Sequence, residues 1–333
     1  MATFDLEPLD SLTVTVLIDN VTDLLATEKG PVKRLQPGIT SPSTQPSTTL
    51  EGGLGFDTLL AEHGFSALVT LAKGGRQRTV LYDTGVTPGG MVENMLRMDL
   101  SPKDVETIVL SHGHFDHTTG LDGFIAAIGG RANLPVVIHP DFWARRRLAF
   151  PGREPFEIPS TSRGALLGAG FEITEDKRPS FVLDGSLLVT GEVDRTTEYE
   201  KGFPIHQALR DEEWMPDPLV LDDQALIANV RGHGLVVLTG CGHAGIVNTV
   251  RYAQKLTGVD KIAAIIGGFH LNGVVFEAII PPTVAALREI APTHIVPAHC
   301  TGFPAQVALS AAMPEAFVAP AVGTRLELTA EPE

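Results

Sequence analysis

The run Ser111-His112-Gly113-His114-Phe115-Asp116-His117 constrains the fold more than any other segment. It places three imidazoles and a carboxylate in the six positions 112–117, directly after the apolar stretch Thr107-Ile108-Val109-Leu110. That stretch reads as a buried strand. Any architecture the chain adopts must end this strand where ligand-type side chains can converge. Folding alone gives little reason for such a density, which points to a metal site and through it to an enzyme.

In His112-Gly113-His114 the glycine lets the backbone turn tightly, so that both imidazoles can reach one cation. Asp116 and His117 point differently and can hold a second, the carboxylate lowering the net positive charge. Imidazole favours borderline ions such as zinc, while oxygen ligands leave manganese and iron open. Two divalent ions are the expected cofactors. A one-metal site is the next reading, and a set of loop histidines satisfied by water the blandest.

Other strand ends carry the same residue types. Cys241-Gly242-His243 follows the apolar Leu235 to Leu238 through Thr239-Gly240, and Ala244-Gly245 opens a helix. His243 is the expected third ligand; Cys241 could bind metal or be a buried neutral thiol. His299, just past Ile295-Val296, is the best ligand from the C-terminal half. His270 follows Gly267-Gly268, which suggests close approach of backbone to substrate, so it is assigned substrate contact or proton transfer. Asp116 could take a proton from water as well as bind metal. Glu192 and Arg195, beside Gly191, suit a polar anionic substrate or form a plain surface salt bridge. Glu62 and His63 could support a ligand, and Asp83 could orient a ligand histidine.

Along the chain, Leu12–Asp19, Phe65–Leu71, Thr79–Tyr82, Leu134–His139, Phe181–Leu183, Leu187–Thr190, Gln224–Val230, Ala263–Ile266 and His294–Val296 read as strands. Arg325–Leu328 reads as an edge strand. Helices are expected at Asn94–Met98, after the Ser101-Pro102 start, at Ala244–Leu256 and at Thr283–Ile290. Between Phe142 and Asp176 the pattern is poor. Residues 31–50 are rich in Pro, Ser and Thr and read as a surface insertion or mobile loop. Predominant strands with helices between them fit an α/β fold of two mixed sheets with helices outside, and a single domain over residues 1–333.

Composition narrows the function. A formal charge of -15 opposes binding to nucleic acid, whose affinity rests on Lys and Arg neutralising phosphates. It leaves room for a small anionic substrate, since a few local arginines can outweigh the global field. Arg145-Arg146-Arg147 could be such a contact, although a solvated helix face explains it more simply. No apolar stretch approaches the roughly 20 residues that span a bilayer. Two cysteines and no visible secretory signal suggest the cytoplasm, and a homodimer is the oligomeric expectation.

These motifs resemble the metallo-beta-lactamase superfamily, whose metal motif HxHxDH is matched in full at 112–117. The resemblance covers roughly residues 11–329, excluding the insertion. It implies an alpha-beta-beta-alpha sandwich with His112 and His114 on the first metal, Asp116 and His117 on the second, and His243 and His299 adding one ligand to each. Glu62 to Ser66, Leu81 to Gly85, Gly191 to Arg195, Gly240 to Asn248, Gly267 to Leu271 and His299 to Gly302 look like one branch of it. That branch contains dihydropterin ribofuranosyl-aminobenzene phosphate synthases beside many metal-dependent hydrolases. The chain departs from the superfamily in lacking a strand-end Gly-Asp pair between His243 and His299, and Cys241 is a candidate for that place.

The leading expectation is a binuclear metal-dependent hydrolase of a small ester, lactone or phosphoester. The alternatives are a transferase condensing a dihydropterin diphosphate with an aromatic ribosyl phosphate, and a noncatalytic metal-stabilised binding protein.

Overall fold

The computed structural model describes residues 3–35 and 44–331. Its first part runs through β1 (Ser11–Ile18), β2 (Val32–Arg34), β3 (Thr44–Pro46), β4 (Leu54–Phe56), β5 (Ser66–Lys73), β6 (Arg76–Tyr82), α1 (Gly90–Arg97), β7 (Thr107–Val109), the single turn α2 (Phe115–Thr118), α3 (Leu121–Ala127) and β8 (Pro135–Ile138). Then follow β9 (Arg146–Leu148), β10 (Phe156–Ile158), α4 (Arg163–Gly168), β11 (Glu172–Glu175), β12 (Ser180–Val182), β13 (Leu187–Val189), β14 (His206–Arg210) and β15 (Glu213–Pro216). The last part comprises β16 (Leu226–Val230), β17 (Gly234–Thr239), α5 (Ile246–Thr257), β18 (Ile262–Gly268), α6 (Ile280–Ile290), β19 (His294–Ala298), α7 (Phe303–Ala312) and β20 (Thr324–Thr329).

One sheet has eight strands in the order β11-β8-β7-β6-β5-β1-β20-β2, and a second has six, β12-β13-β16-β17-β18-β19. Both are mixed: β6, β7, β8 and β11 run parallel, as do β17, β18 and β19, while the other pairs are antiparallel. Strand periodicity explains the layering. In β17, Val236 and Leu238 face the first sheet's Val14, Val69 and Val80, whereas Leu235 and Val237 face Val247 and Val250 of α5. On the first sheet's other side, Leu68, Leu81 and Ile108 pack against Met91 and Met95 of α1 and Phe124 of α3. Each such side chain contributes about 1.5–3 kcal/mol, and a one-residue slip would turn every one to the wrong layer. The result is the expected alpha-beta-beta-alpha sandwich of two mixed sheets with outer helices.

Several local expectations are corrected. β20 is not an edge strand, because β2 pairs with its outer side. Of the segment read as an insertion or mobile loop, residues 36–43 lie outside the described residues; on either side of them, Val32 is fully buried in β2 and β3 pairs with β4. The Ser101 cap does form, accepting from the Lys103 amide, but the helix stops after one 3-10 turn at Pro102–Asp104. Arg145-Arg146-Arg147 is no helix face: β9 forms a four-stranded sheet, β10-β9-β14-β15, in which Arg146 is buried.

The segments following β1, β6, β7, β17, β18 and β19 meet at one rim, the expected place for a site in sheets of parallel strands. The His299 amide donates to Asp19 Oδ1, the Ser111 amide to Asp83 Oδ1, and the Gly268 amide to the Gly240 carbonyl.

Candidate metal centre

The loop after β7 is fixed from below by Asp83. Its Oδ2 accepts from Ser111 Oγ at 2.7 Å and from His117 Nδ1 at 2.7 Å, and Ser111 Oγ accepts from His112 Nδ1 at 2.8 Å. The Nε2 atoms of His112 and His117 are thereby turned toward a common space. Gly113 is dictated by close approach, since a Cβ there would lie 2.1 Å from the Phe142 carbonyl oxygen. The single turn of α2 then presents Asp116 and His117.

Two other loops close on this one. Arg195 Nη1 donates to the His243 carbonyl at 3.1 Å, and Asp223 Oδ2 accepts from the Ala244 amide at 2.9 Å. His299 is held by Asp19 through its amide and by Asn20 Oδ1, 3.3 Å from its Nδ1. Asp83, His270 and His299 all adopt positive φ, at 56°, 46° and 51°. These three non-glycine residues, all at the rim, keep this backbone strain because the surrounding structure holds them.

Among the described residues three overlapping donor groups result, two of them the adjoining sets His112, His114 and His243, and Asp116, His117, Cys241 and His299, and the third joining Cys241 and His243 with His270; the ligand atoms of each group lie within 4.8 Å of one another. His112 Nε2 lies 3.0 Å from His114 Nδ1. In the second set, Cys241 Sγ is 3.2 Å from His117 Nε2 and 3.4 Å from His299 Nε2, and Asp116 Oδ2 is 3.4 Å from His299 Nε2. Tetrahedral donors around zinc stand about 3.3–3.6 Å apart, given zinc–nitrogen and zinc–sulfur bonds of about 2.0–2.3 Å. The rings of His112 and His117, centroids 4.4 Å apart, bring the sets side by side.

The electrostatics suit cations. Burial pushes the His112, His114 and His243 imidazoles well below their ordinary value, leaving neutral rings. Burial acts to raise the Asp116 carboxyl, yet His117 and His299 hold it well below the usual carboxylate range. For His117, burial pulls the imidazole down, but Asp116 and Asp83 outweigh it and set it at about 9. Both ring nitrogens of His243 are buried without a hydrogen-bond partner. A bound cation accounts for such an orphaned group, so the residues present fit divalent metal.

His270 lies against the first set, its ring 4.1 Å from that of His243 and packed by Phe203 and Phe276. Its Nδ1 is buried without a partner, and it lines a cavity of about 160 Å³ with His243, Lys201, Phe269 and Phe276. Glu192 and Arg195 instead line a depression with Phe4 and Tyr252. Glu192 Oε1 faces His139 Nε2 at 3.4 Å, and the Arg195 guanidinium is committed to the carbonyls of His243 and Leu219. Glu62 supports backbone, accepting from the Val86 and Thr87 amides, whereas the exposed His63 stands 3.7 Å from Asp116 Oδ2.

Sequence reasoning missed His206, whose Nε2 is 2.9 Å from His114 Nε2. It sits on β14, joined to β15 by the two-residue turn Asp211-Glu212 with φ of 47° and 67°. Such turns usually announce themselves with Asn or Gly, and here no such signal exists. Asp19, read only as the end of a strand, was also missed as support for His299.

Comparison with known proteins agrees with this fold. The sequence pattern of the metallo-beta-lactamase superfamily matches residues 63–253. The 7,8-dihydropterin-6-methyl-4-(beta-D-ribofuranosyl)-aminobenzene-5'-phosphate synthase of Methanocaldococcus jannaschii is 31% identical over 74% of this chain and 83% of its own length. An uncharacterized protein of the same organism is 33% identical over 77% of this chain and 90% of its own. Among solved structures, a metal-dependent hydrolase of the beta-lactamase superfamily superposes with a TM-score of 0.68 at 20% identity, covering 96% of this chain and 99% of the other. A metallo-beta-lactamase fold protein of Bacillus subtilis gives 0.52 at 12% identity, covering 96% and 100%.

Proposed function

We propose that this chain, which belongs to the metallo-beta-lactamase superfamily, is a metal-dependent hydrolase of a small ester, lactone or phosphoester working with two divalent cations. The observation that carries this reading is the pair of adjoining donor sets, one of three neutral imidazoles and one containing an ionised carboxylate. His112, His114 and His243 hold the first cation; Asp116, His117 and His299 hold the second, with Cys241 completing its set. Zinc fits best, and manganese or iron remain compatible with the oxygen donor. When bound, the cations supply Lewis acidity that lowers the pKa of water and offsets charge building on an electrophilic carbonyl or phosphorus.

The chain's own groups do the rest. Asp83 fixes the orientation of His112, through Ser111, and of His117. Asp116, held ionised within the second set, is placed to accept a hydrogen bond that orients the attacking water. The unpartnered Nδ1 of His270 holds a substrate heteroatom or passes it a proton, while Phe203 and Phe276 keep that side dry. Arg195 acts on the loop of His243 rather than on substrate. Three donors leave the first set an open position, as catalytic sites require and closed structural sites lack, which counts against a noncatalytic binding role. Among the described residues no helix is long and apolar enough to cross a membrane.

The test is hydrolysis of a panel of esters, lactones and phosphoesters by metal-loaded and chelator-treated protein. Turnover is expected with metal and without a second organic substrate, and is expected to fall at least about 100-fold in His114→Ala. Absence of turnover across the panel would contradict it. The likeness to the synthase favours a second reading, transfer to an aromatic acceptor. Its mark is diphosphate release only when a dihydropterin diphosphate and an aromatic ribosyl phosphate are both present.

A further inference from the structure

A buried polar chain leaves the four-stranded sheet and returns to the loop after β7 at two points. His114 Nδ1 faces His112, so its Nε2 points away from the first donor set and meets His206 Nε2 at 2.9 Å. Two ring nitrogens at that distance, outside any donor set, share a single hydrogen; the 3.0 Å pair of His112 Nε2 and His114 Nδ1 instead lies within the first donor set, where both lone pairs would face the cation. On the far side, His206 Nδ1 lies 3.0 Å from the Asp217 carbonyl oxygen and 3.4 Å from Asp217 Oδ2. Both are acceptors, so in the neutral ring Nδ1 of His206 carries hydrogen and Nε2 accepts. His114 therefore donates from Nε2 and is left with a lone pair on Nδ1, the nitrogen beside His112.

The chain continues from Asp217 to Arg146, whose Nε lies 3.3 Å from Asp217 Oδ2. Arg146 grips Asp222 through Nη1 and Nη2 at 3.0 and 2.6 Å, and Asp222 Oδ2 accepts from the Gly113 amide at 2.8 Å. Arg146 is 1% exposed, and His206 and Asp222 are fully buried. Burying a guanidinium with carboxylates gives little net stability compared with apolar packing. What this arrangement does provide is a fixed orientation of both the Gly113 backbone and the His114 ring.

We propose that His206 and Asp217, held by Arg146 and Asp222, are positioning residues that fix His114 as the Nδ1-ligating tautomer and so set the cation affinity of the first donor set. This rests on the reading above that His112, His114 and His243 hold a cation. The four-stranded sheet thereby becomes part of the metal centre without touching the metal. Removing such an outer partner weakens affinity about 10–100-fold.

The experiment titrates wild type, His206→Ala and His206→Gln with zinc and cobalt against a chromophoric chelator, with circular dichroism confirming the fold. His206→Ala is expected to weaken one of the two binding steps about 10–100-fold, to shift the cobalt absorption of that step and to leave the other step unchanged. His206→Gln, whose amide oxygen can accept the Nε2 hydrogen, is expected to restore both affinity and absorption. Nitrogen NMR of zinc-loaded wild type reads the tautomer without any mutation, and hydrogen on Nε2 of His114 is expected. Equal affinities in all three proteins, or hydrogen on Nδ1 of His114, would overturn the proposal. A wild type that takes up no cation would instead overturn the function on which it rests.

Discussion

His117 makes the second donor set sensitive to pH. In the metal-free chain burial lowers its imidazole, but Asp116 and Asp83 together raise it to about 9, so at neutral pH it carries a proton that a cation must displace. Affinity at this set is expected to rise by up to about tenfold per pH unit from this residue between pH 7 and 9, and the slope is expected to lose one proton above about pH 9. Zinc competition at fixed free-metal concentrations measures this, and a flat profile would refute it. The same elevation stabilises the metal-free fold below the ordinary value of 6.5 and is lost as pH climbs through about 9. At this scale the sequence was most legible where ligand types crowd a strand end, as at 112–117, or follow an apolar run singly, as His243 and His299 do. Arg146 was opaque, since three adjacent arginines look like a solvated surface until the carboxylates that neutralise the middle one, Asp217 and Asp222, are placed beside it.

Among elements, the β17–β18 pair brings Cys241 and His243 beside His270, and glycine makes the pairing possible. A Cβ on Gly267 would lie 1.9 Å from the Thr239 carbonyl oxygen, and its φ is +118°. Gly267→Ala is therefore expected to destabilise the metal-free chain by at least about 2 kcal/mol. Gly168→Ala in α4, with nothing within 4 Å of the added carbon, is expected to leave stability nearly unchanged. Urea unfolding compares them, and equal midpoints would show that the two strands tolerate separation. Most strands were readable because apolar runs buried on both faces, such as Ile262–Gly268, leave little choice of structure. The β14–β15 hairpin was not, because its turn lacks Gly or Asn and its strands carry polar side chains into a small third sheet. The turn at Pro102–Asp104 shows a cap signal overruled when Thr107 to Val109 are drawn into the first sheet beside β6.

For the whole molecule, two sheets pack back to back and their rim gathers loops from distant parts of the chain. The layered fold was legible from strand frequency and the metal motif together, while strand order was not, because β20 joins the first sheet from the far end of the sequence. Cations that bind the folded rim and not the unfolded chain stabilise it by mass action, by about 4 kcal/mol at a thousandfold excess over the dissociation constant. The most direct measurement is calorimetric titration of the metal-free protein with zinc, followed by thermal unfolding at each stoichiometry. The account predicts two equivalents per chain, each raising the unfolding temperature, with His114→Ala losing one step and His299→Ala the other. A chain that binds no zinc, or that turns over substrate at full rate without metal, would contradict it.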